Sequence, residues 1–494
     1  MFATNGYSLN RRLAALLIAA ATMAWSLGST ADATERVPPE STPVDERELS
    51  AIDRVPGVAH PWIWRPAPEG QGHVSFSGIF QTLFVYQNDS DFDRTRPYYD
   101  PGGQHVGIMG SFFKPVVTVR PLAGIANAPE LEVVWDSEFG LSLWSVHDPD
   151  QYDLGHPNSL RFSQRQLYAR GRMWGGLLGF QVGYQYFTDP TAMFLGHWIG
   201  AARLWTETSW GRLEIMGGQL PDQTFEGLVL DSQEKFTRDA FVYGGLAELT
   251  PSDHYKLTLG LHGLHDAQLV GRPLDLLTTT LTASCDRGFM RWGLQGAFQW
   301  GRQKHGAQGG DEETLAWALQ AYATVLIPGT PVLIDLNQLV LSPDDTHDRN
   351  NHNGAFFYSS KSRSRTLMLS EDEIRDRGRN YDQRMGERRQ NFYLLRGGLS
   401  LTDLTVLVQV TDYFVPSVTF GTAFSLEKAN TGGSSFAGFE TNLHLRFLYR
   451  DRLELHLAGV ALLPGRALST FINLYDRTAT EPQFMLESSL FVYF

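Results

Sequence analysis

The sequence predicts an all-β fold, a transmembrane antiparallel β-barrel of about 18 strands with long extracellular loops and short periplasmic turns. Three observations predict it. The N-terminus carries an export signal, long runs alternate apolar with polar residues, and the connections alternate between short and long.

The export signal comes first in the chain. Arg11 and Arg12 supply a positive start, Leu13 to Trp25 form an apolar stretch, and Ala31-Asp32-Ala33 offers a cleavage site of the A-x-A kind. The apolar stretch is shorter than the roughly 20 residues a membrane-spanning helix needs, and no later segment supplies such a run. Residues 1–33 therefore read as a signal peptide, residues 34–70, rich in proline and charge, as a periplasmic linker, and residues 71–494 as the barrel. The single cysteine, Cys285, excludes an intrachain disulfide framework and a cysteine-based zinc cluster. With 12% aromatic and 19% charged residues, the chain is too apolar for disorder, and its net charge of −13 argues against a nucleic-acid partner.

The alternation begins at Val74, Phe76, Gly78, Phe80, Thr82, Phe84 and Tyr86, which interleave with Ser75, Ser77 and Gln81. Leu131, Val133, Trp135, Phe139 and Leu141 interleave with Glu130, Glu132, Asp136 and Glu138. The same two-residue period runs through 255–262, 290–300 and 437–449. Side chains of a strand point alternately to opposite faces, so each run has one greasy and one charged face. A packed soluble core has no use for the charged face. A barrel with lipid outside and water inside needs both. Trp135, Trp144, Trp198, Trp205, Trp292, Trp300 and Trp317 fall near strand ends or on apolar faces, where interfacial aromatic girdles sit.

The connections agree. Short, turn-rich links are expected at Met173-Trp174-Gly175, Ser209-Trp210-Gly211, Pro251-Ser252-Asp253, Asp286-Arg287-Gly288, Pro328-Gly329-Thr330, Thr402-Asp403 and Arg450-Asp451, with a longer one at 121–128. The intervening links, near 88–107, 146–158, 220–238, 264–274, 343–389, 416–434 and 465–482, are long and polar. Two strands are accordingly expected to centre near residues 396 and 409. In the last segment Phe484, Leu486, Leu490, Val492 and Phe494 share one face, the form of signal read by the outer-membrane barrel assembly machinery.

Closure follows from energetics. Each unpaired backbone group in hydrocarbon costs several kcal/mol, so strands cross a membrane only as a closed ring. A ring of this size leaves an aqueous channel. Phase-matching places Lys114, Arg120, Arg161, Arg165, Arg203, Lys256, Arg291, Arg396 and Arg446 inward, together with Glu130, Glu132, Asp136, Glu138, Asp335, Glu440 and Glu454. The lumen is the side that tolerates them, because a lipid-facing Arg or Lys costs about 2–4 kcal/mol near the midplane. Such charges either select solutes or form a salt-bridged lattice that stiffens the wall. The 343–389 connection is basic through Lys361, Arg363, Arg365, Arg375, Arg377, Arg379, Arg384, Arg388 and Arg389. Ser370-Glu371-Asp372-Glu373 has capping-box spacing for a short helix. This connection is expected either to fold into the mouth as a constriction or to meet anionic lipopolysaccharide.

No enzyme signature is present: no HExxH, GxSxG, P-loop or CxxC. No cofactor is expected. Asp344, Asp345, Asp348, Asn350, Asn353 and Gly354 do not meet the spacing of a calcium loop, and His347 and His352 read as solvated, so no metal is expected either. What remains is a channel for polysaccharide or for charged and sugar-like solutes, or a non-conducting barrel that displays its loops as a structural protein or adhesin.

Gly438-Phe439-Glu440-Thr441-Asn442-Leu443, then Leu453-Glu454-Leu455 and Leu462-Leu463-Pro464-Gly465-Arg466-Ala467-Leu468, resemble the end of alginate-export-type outer-membrane porins. Arg165-Gln166-Leu167-Tyr168 resembles their strand with an inward arginine, while their Gly-Arg-Gln motif stands here as Gly183-Tyr184-Gln185. The resemblance implies an 18-stranded barrel, an electropositive constriction and export of an acidic polysaccharide, with Arg165 as the residue carried over.

Overall fold

A computed structural model of the chain describes residues 74–88, 105–122, 129–144, 158–174, 176–220, 228–229, 240–266, 274–304, 311–344, 352–354, 356, 363–369, 397–449, 452–472, 478 and 480–494. The expected signal peptide and linker lie outside the described residues. So do Arg396, the expected helix at Ser370, and the basic residues of 343–389 other than Arg363 and Arg365.

Eighteen long strands form one antiparallel ring. They are β1 Val74–Asn88, β2 His105–Val119, β3 Glu130–Trp144, β4 Asn158–Met173, β5 Leu178–Thr188 and β6 Gly196–Thr208. Next come β7 Gly211–Gln219, β8 Ala240–Ser252, β9 Tyr255–Asp266, β10 Leu274–Asp286, β11 Met290–Lys304 and β12 Asp311–Leu326. The ring finishes with β13 Val332–Leu341, β14 Leu399–Val408, β15 Phe414–Phe424, β16 Phe436–Tyr449, β17 Leu453–Pro464 and β18 Gln483–Tyr493. Strand lengths run from 9 residues in β7 to 16 in β4 and β12, enough for a tilted strand to cross the hydrocarbon. The ring closes where β18 pairs with β1, from Ile79 opposite Tyr493 to Asn88 opposite Phe484. The Phe494 amide and carbonyl pair with Gly78 at 3.2 and 3.1 Å, and its ring packs on Phe76 and Phe113. A side chain at 78 would strike that ring, which explains the glycine.

The expected faces are observed. Phe80, Phe84, Phe139, Leu259, Leu281, Leu319, Leu443 and Leu486 stand exposed on the outer surface, forming the apolar belt. Aromatic residues crowd the periplasmic turns: Trp174, Trp210, Phe289 and Tyr413 are exposed there, a girdle at the interface. Trp135, Trp292, Trp300 and Trp317 face outward as expected of girdle or belt residues. Trp205 does not. It pairs with Gly179 and Glu214 on the inner face. The side chains of Trp144 and Trp198 lie outside the described residues.

One hairpin departs from expectation. Thr402-Asp403 is no turn: both lie inside β14, and the periplasmic link is 409–413. The strands expected near 396 and 409 are therefore centred further along the chain, and β15 occupies much of the expected 416–434 loop, which shrinks to 425–435. Polar Thr402 and Asp403 suit a turn locally, but each has a partner here. Thr402 donates to Gln338, and Asp403 accepts from Asn337 at 2.8 Å.

Candidate permeation pathway

The inner wall falls into two zones. Towards the periplasmic turns it is charged. Lys114 on β2 meets Glu138 on β3 at 3.2 Å, and Glu132 takes Arg120 at 3.3 Å and Arg170 of β4 at 2.5 Å. Arg172 joins Glu130 at 4.0 Å and Glu207 at 3.2 Å, and Arg212 joins Glu207 at 3.4 Å and Glu214 at 2.5 Å. Glu214, only 2% exposed, also holds Arg203 at 2.7 Å. Lys256 meets Glu248 at 2.7 Å, Arg291 pairs with Asp286, and Arg446 meets Glu454 at 2.7 Å. Most of these are cross-strand neighbours on one face, brought together by antiparallel register; Arg212 and Glu214 are two apart on β7, and Arg172 reaches Glu207 across β5.

In this register Lys114, Glu130, Glu132, Asp136, Glu138, Arg203, Lys256, Arg291, Asp335, Glu440, Arg446 and Glu454 share the face of these ion pairs, and Arg120 reaches it through Glu132. Arg170, Arg172, Glu207, Arg212, Glu214 and Glu248 are wall residues that the sequence reading missed. Arg161 and Arg165 sit on the backbone of β4, and their side chains lie outside the described residues. At Arg165 the ladder slips: Asp136 faces Gln166, but Ser137 faces Gln164, so Arg165 is the extra residue of a bulge without a partner in β3. In the neighbouring strand, Gly183 has φ +133°, and a side chain there would strike the backbone of Leu167 and Tyr168.

Three inward aromatic rings lie over glycines of the inner wall. Phe112 covers Gly110 and Gly140, Trp205 covers Gly179, and Tyr322 covers Gly293. Each ring carries a cation: Lys114 at 6.0 Å, Arg212 at 4.8 Å and Arg363 at 3.7 Å from the ring centroid. The glycines let large rings lie against the wall instead of crossing the pore. Gly179→Val is expected to push the Trp205 indole and the stacked Arg212 into the lumen. The check is a lower single-channel conductance from a barrel that still folds; unchanged conductance would show that the indole does not border the pathway.

Towards the extracellular ends the wall turns apolar. Ile199, Val242, Leu264, Leu276, Ala316, Leu339, Leu401, Ala423, Val460 and Met485 form one buried cluster with three ingrown connections. The first, 189–195, follows β5. Its Met193, Phe194 and Leu195 are buried, and Pro190 lies against Gly260 of β9. The second is the described part of the β13–β14 connection, with Phe356, Met368 and Leu369. The third is a short helix, α1 Arg466–Ile472, which buries Ala467 and Leu468. The expectation that 343–389 folds into the mouth holds for residues 363–369. Asp344, one of the acidic residues of that loop, accepts from the Gly354 amide at 3.2 Å. His352–Asn353 pairs with β12 at Glu313–Thr314.

An 18-stranded closed barrel with a greasy belt and a charged interior is an outer-membrane barrel of a Gram-negative bacterium. No family model matches the chain, and no curated protein matches it. Among solved structures it is similar to OccAB2 of Acinetobacter baumannii, with a TM-score of 0.53 and 8% identity over 85% of this chain and 98% of that one. OccK8 (OprE) of Pseudomonas aeruginosa gives 0.51 and 8% over 85% and 98%. A BenF-like porin of Pseudomonas fluorescens Pf-5 gives 0.51 and 10% over 85% and 99%. At these identities the likeness is one of fold: the chain shares the closed barrel of these outer-membrane proteins, and nothing in it points to the alginate-export type in particular.

Proposed function

We propose that this chain is a passive outer-membrane channel for small solutes, with a charge-compensated wall. The observation that carries this reading is the run of ion pairs along the inner face. Lys114, Arg120, Arg170, Arg172, Arg203, Arg212, Lys256, Arg291 and Arg446 each have a carboxylate within 4.0 Å. Such a wall solvates a hydrated solute without a strong excess of either sign. Of the two alternatives posed from sequence, a selective surface and a salt-bridged lattice, the ion pairs favour the lattice. An electropositive constriction for an acidic polysaccharide gains no support from this arrangement.

The fold shared with a BenF-like porin favours conduction over a non-conducting adhesin. The C-terminal strand ending at Phe494 remains our proposed signal for the barrel assembly machinery, and lipopolysaccharide the proposed neighbour of the outer rim. In planar bilayers the purified barrel is expected to carry current, with cation and anion permeabilities within about twofold of each other. Arg203→Gln is expected to shift that ratio towards cations by leaving Glu214 undercompensated. A barrel that carries no current, or a strongly anion-selective one, would overturn this reading.

A further inference from the structure

We propose that residues 363–369 form a strap latched across the inner wall by two carboxylates, Asp335 and Glu440, and that release of this strap widens the pore. The proposal rests on the channel reading above only for its consequence, not for its geometry.

The strap crosses five strands. Arg363 stacks on Tyr322 of β12 at 3.7 Å, and the Arg365 Nε donates to Asp335 of β13 at 2.7 Å. The Arg365 backbone amide faces Asp403 of β14 at 3.4 Å, and the Arg365 carbonyl accepts from Asn442 of β16 at 3.1 Å. The Thr366 methyl lies over Gly421 of β15, where a side chain would leave no room for it. Then three successive backbone N–H groups converge on one carboxylate. Leu367 donates to Glu440 Oε1 at 2.6 Å, while Met368 and Leu369 donate to Oε2 at 3.1 and 2.6 Å. Consecutive amides around an anion make a strong charge-assisted site. Glu440 is fully buried by this contact, as are Met368 and Leu369.

Two features make the arrangement a latch. The strap is tied to the wall through side chains and not by a strand ladder, so the barrel's own hydrogen bonds survive its departure. The wall beneath it carries Asp335 and Asp403, which face Arg365, and Glu440, which faces the amides of 367–369; all three would face the lumen once the strap left. An unlatched barrel is therefore wider and more cation-preferring than a latched one.

Glu440→Gln removes the anion from the three amides and points a competing donor at them. Losing charge-assisted hydrogen bonds of this kind shifts the latched-to-released ratio by about tenfold or more. The lock is available at the same place. The Thr366 Cβ lies 3.5 Å from where a Cβ on residue 421 would stand, inside the range of a disulfide. In a Cys285→Ser background, Thr366→Cys is expected to react with a charged, water-soluble maleimide about tenfold faster when combined with Glu440→Gln. In bilayers, Glu440→Gln is expected to raise single-channel conductance and the cation/anion ratio. Oxidising Thr366→Cys/Gly421→Cys in the Glu440→Gln barrel is expected to restore the wild-type conductance, and reduction to undo it. Equal labelling rates with and without Glu440→Gln would overturn the latch. So would a conductance gain that survives oxidation. If neither wild type nor any variant carries current, the channel reading falls, while the labelling rates still decide the latch.

Discussion

Replacing Asp189 by alanine is expected to raise the conductance of the barrel while leaving its strands folded. Asp189 organises the ingrown connection between β5 and β6. Its carboxylate accepts from the Thr191 amide at 2.8 Å, the Thr191 hydroxyl, the Phe194 amide at 3.0 Å and the Leu195 amide at 2.7 Å. The Asp189 amide donates to the Leu195 carbonyl at 2.9 Å, closing the loop on itself. Ala192 is held at φ +53° within it. Alanine at 189 leaves buried donors without an acceptor, each costing about 1–3 kcal/mol.

Against that stands the apolar burial of Met193, Phe194 and Leu195, about 1.5–3 kcal/mol apiece for side chains fully removed from water. The two sums are of the same order, so the knob does not stay seated on hydrophobicity alone. The seat itself favours release. Both ring nitrogens of His262 and the hydroxyls of Thr278 and Thr280 are buried without a hydrogen-bond partner among the described residues, and lifting the knob rehydrates them. Asp189→Asn, which keeps one carbonyl acceptor, should fall between alanine and wild type. The measurement is single-channel conductance alongside the folded, heat-modifiable band on gels. Alanine and wild-type barrels of equal conductance would show that the knob lies off the pathway.

What was legible in the sequence follows the range of each cause. Alternation is local: a strand that faces lipid on one side and water on the other must write both faces into neighbouring residues. Phase alone therefore puts Lys114, Glu132, Arg203 and Arg446 on one common face of the sheet, and the register pairs them across that face. Phase fails where a strand carries an extra residue. Gly140 and Glu132 are eight positions apart on β3, yet their register partners Arg161 and Arg170 are nine apart on β4, a mismatch that a regular ladder forbids. The slip at Arg165 reconciles them, and no local feature marks it. Arg170 and Arg172, beyond the slip, were missed for that reason. Arg212 and Glu214, by contrast, lie in a regular strand. Reading their spacing against outward Leu213 and Ile215 would have found them.

The ingrown segments lie beyond any local reading. Thr402-Asp403 has the composition of a turn, and the partners that hold Asp403 inside a strand, Asn337 of β13 and the Arg365 amide of the strap, come from distant parts of the chain. Glu440 was visible as an inward charge, but its partners are backbone amides of 367–369, which have no side-chain signature. The helix α1 was read as part of a polar loop, although Ala467 and Leu468 are buried in the extracellular half of the lumen. In each case the barrel wall is determined by neighbouring residues and the lumen filling by contacts far apart in the chain.

The whole arrangement predicts that two adjacent positions on β7 answer to opposite solvents. Ile215 stands near the middle of a nine-residue strand, 62% exposed on the outer surface, while Glu214 beside it is buried inward between two arginines. Ile215→Arg places a cation against hydrocarbon at a depth where the cost is about 2–4 kcal/mol. No carboxylate is within its reach on the outer face of β6 or β8, where Leu204 and Gly245 are its neighbours. Ile215→Ala removes the same apolar surface without the charge, and its lipid-facing site asks little of side-chain shape. The arginine variant is therefore expected to lose folding stability in lipid vesicles by several times more than the alanine variant, read by denaturant unfolding of tryptophan fluorescence. In detergent micelles, where headgroup water reaches the belt more readily, the gap between the two should narrow. Equal stability of the two variants in bilayers would place Ile215 in water, and with it the outer face of β7.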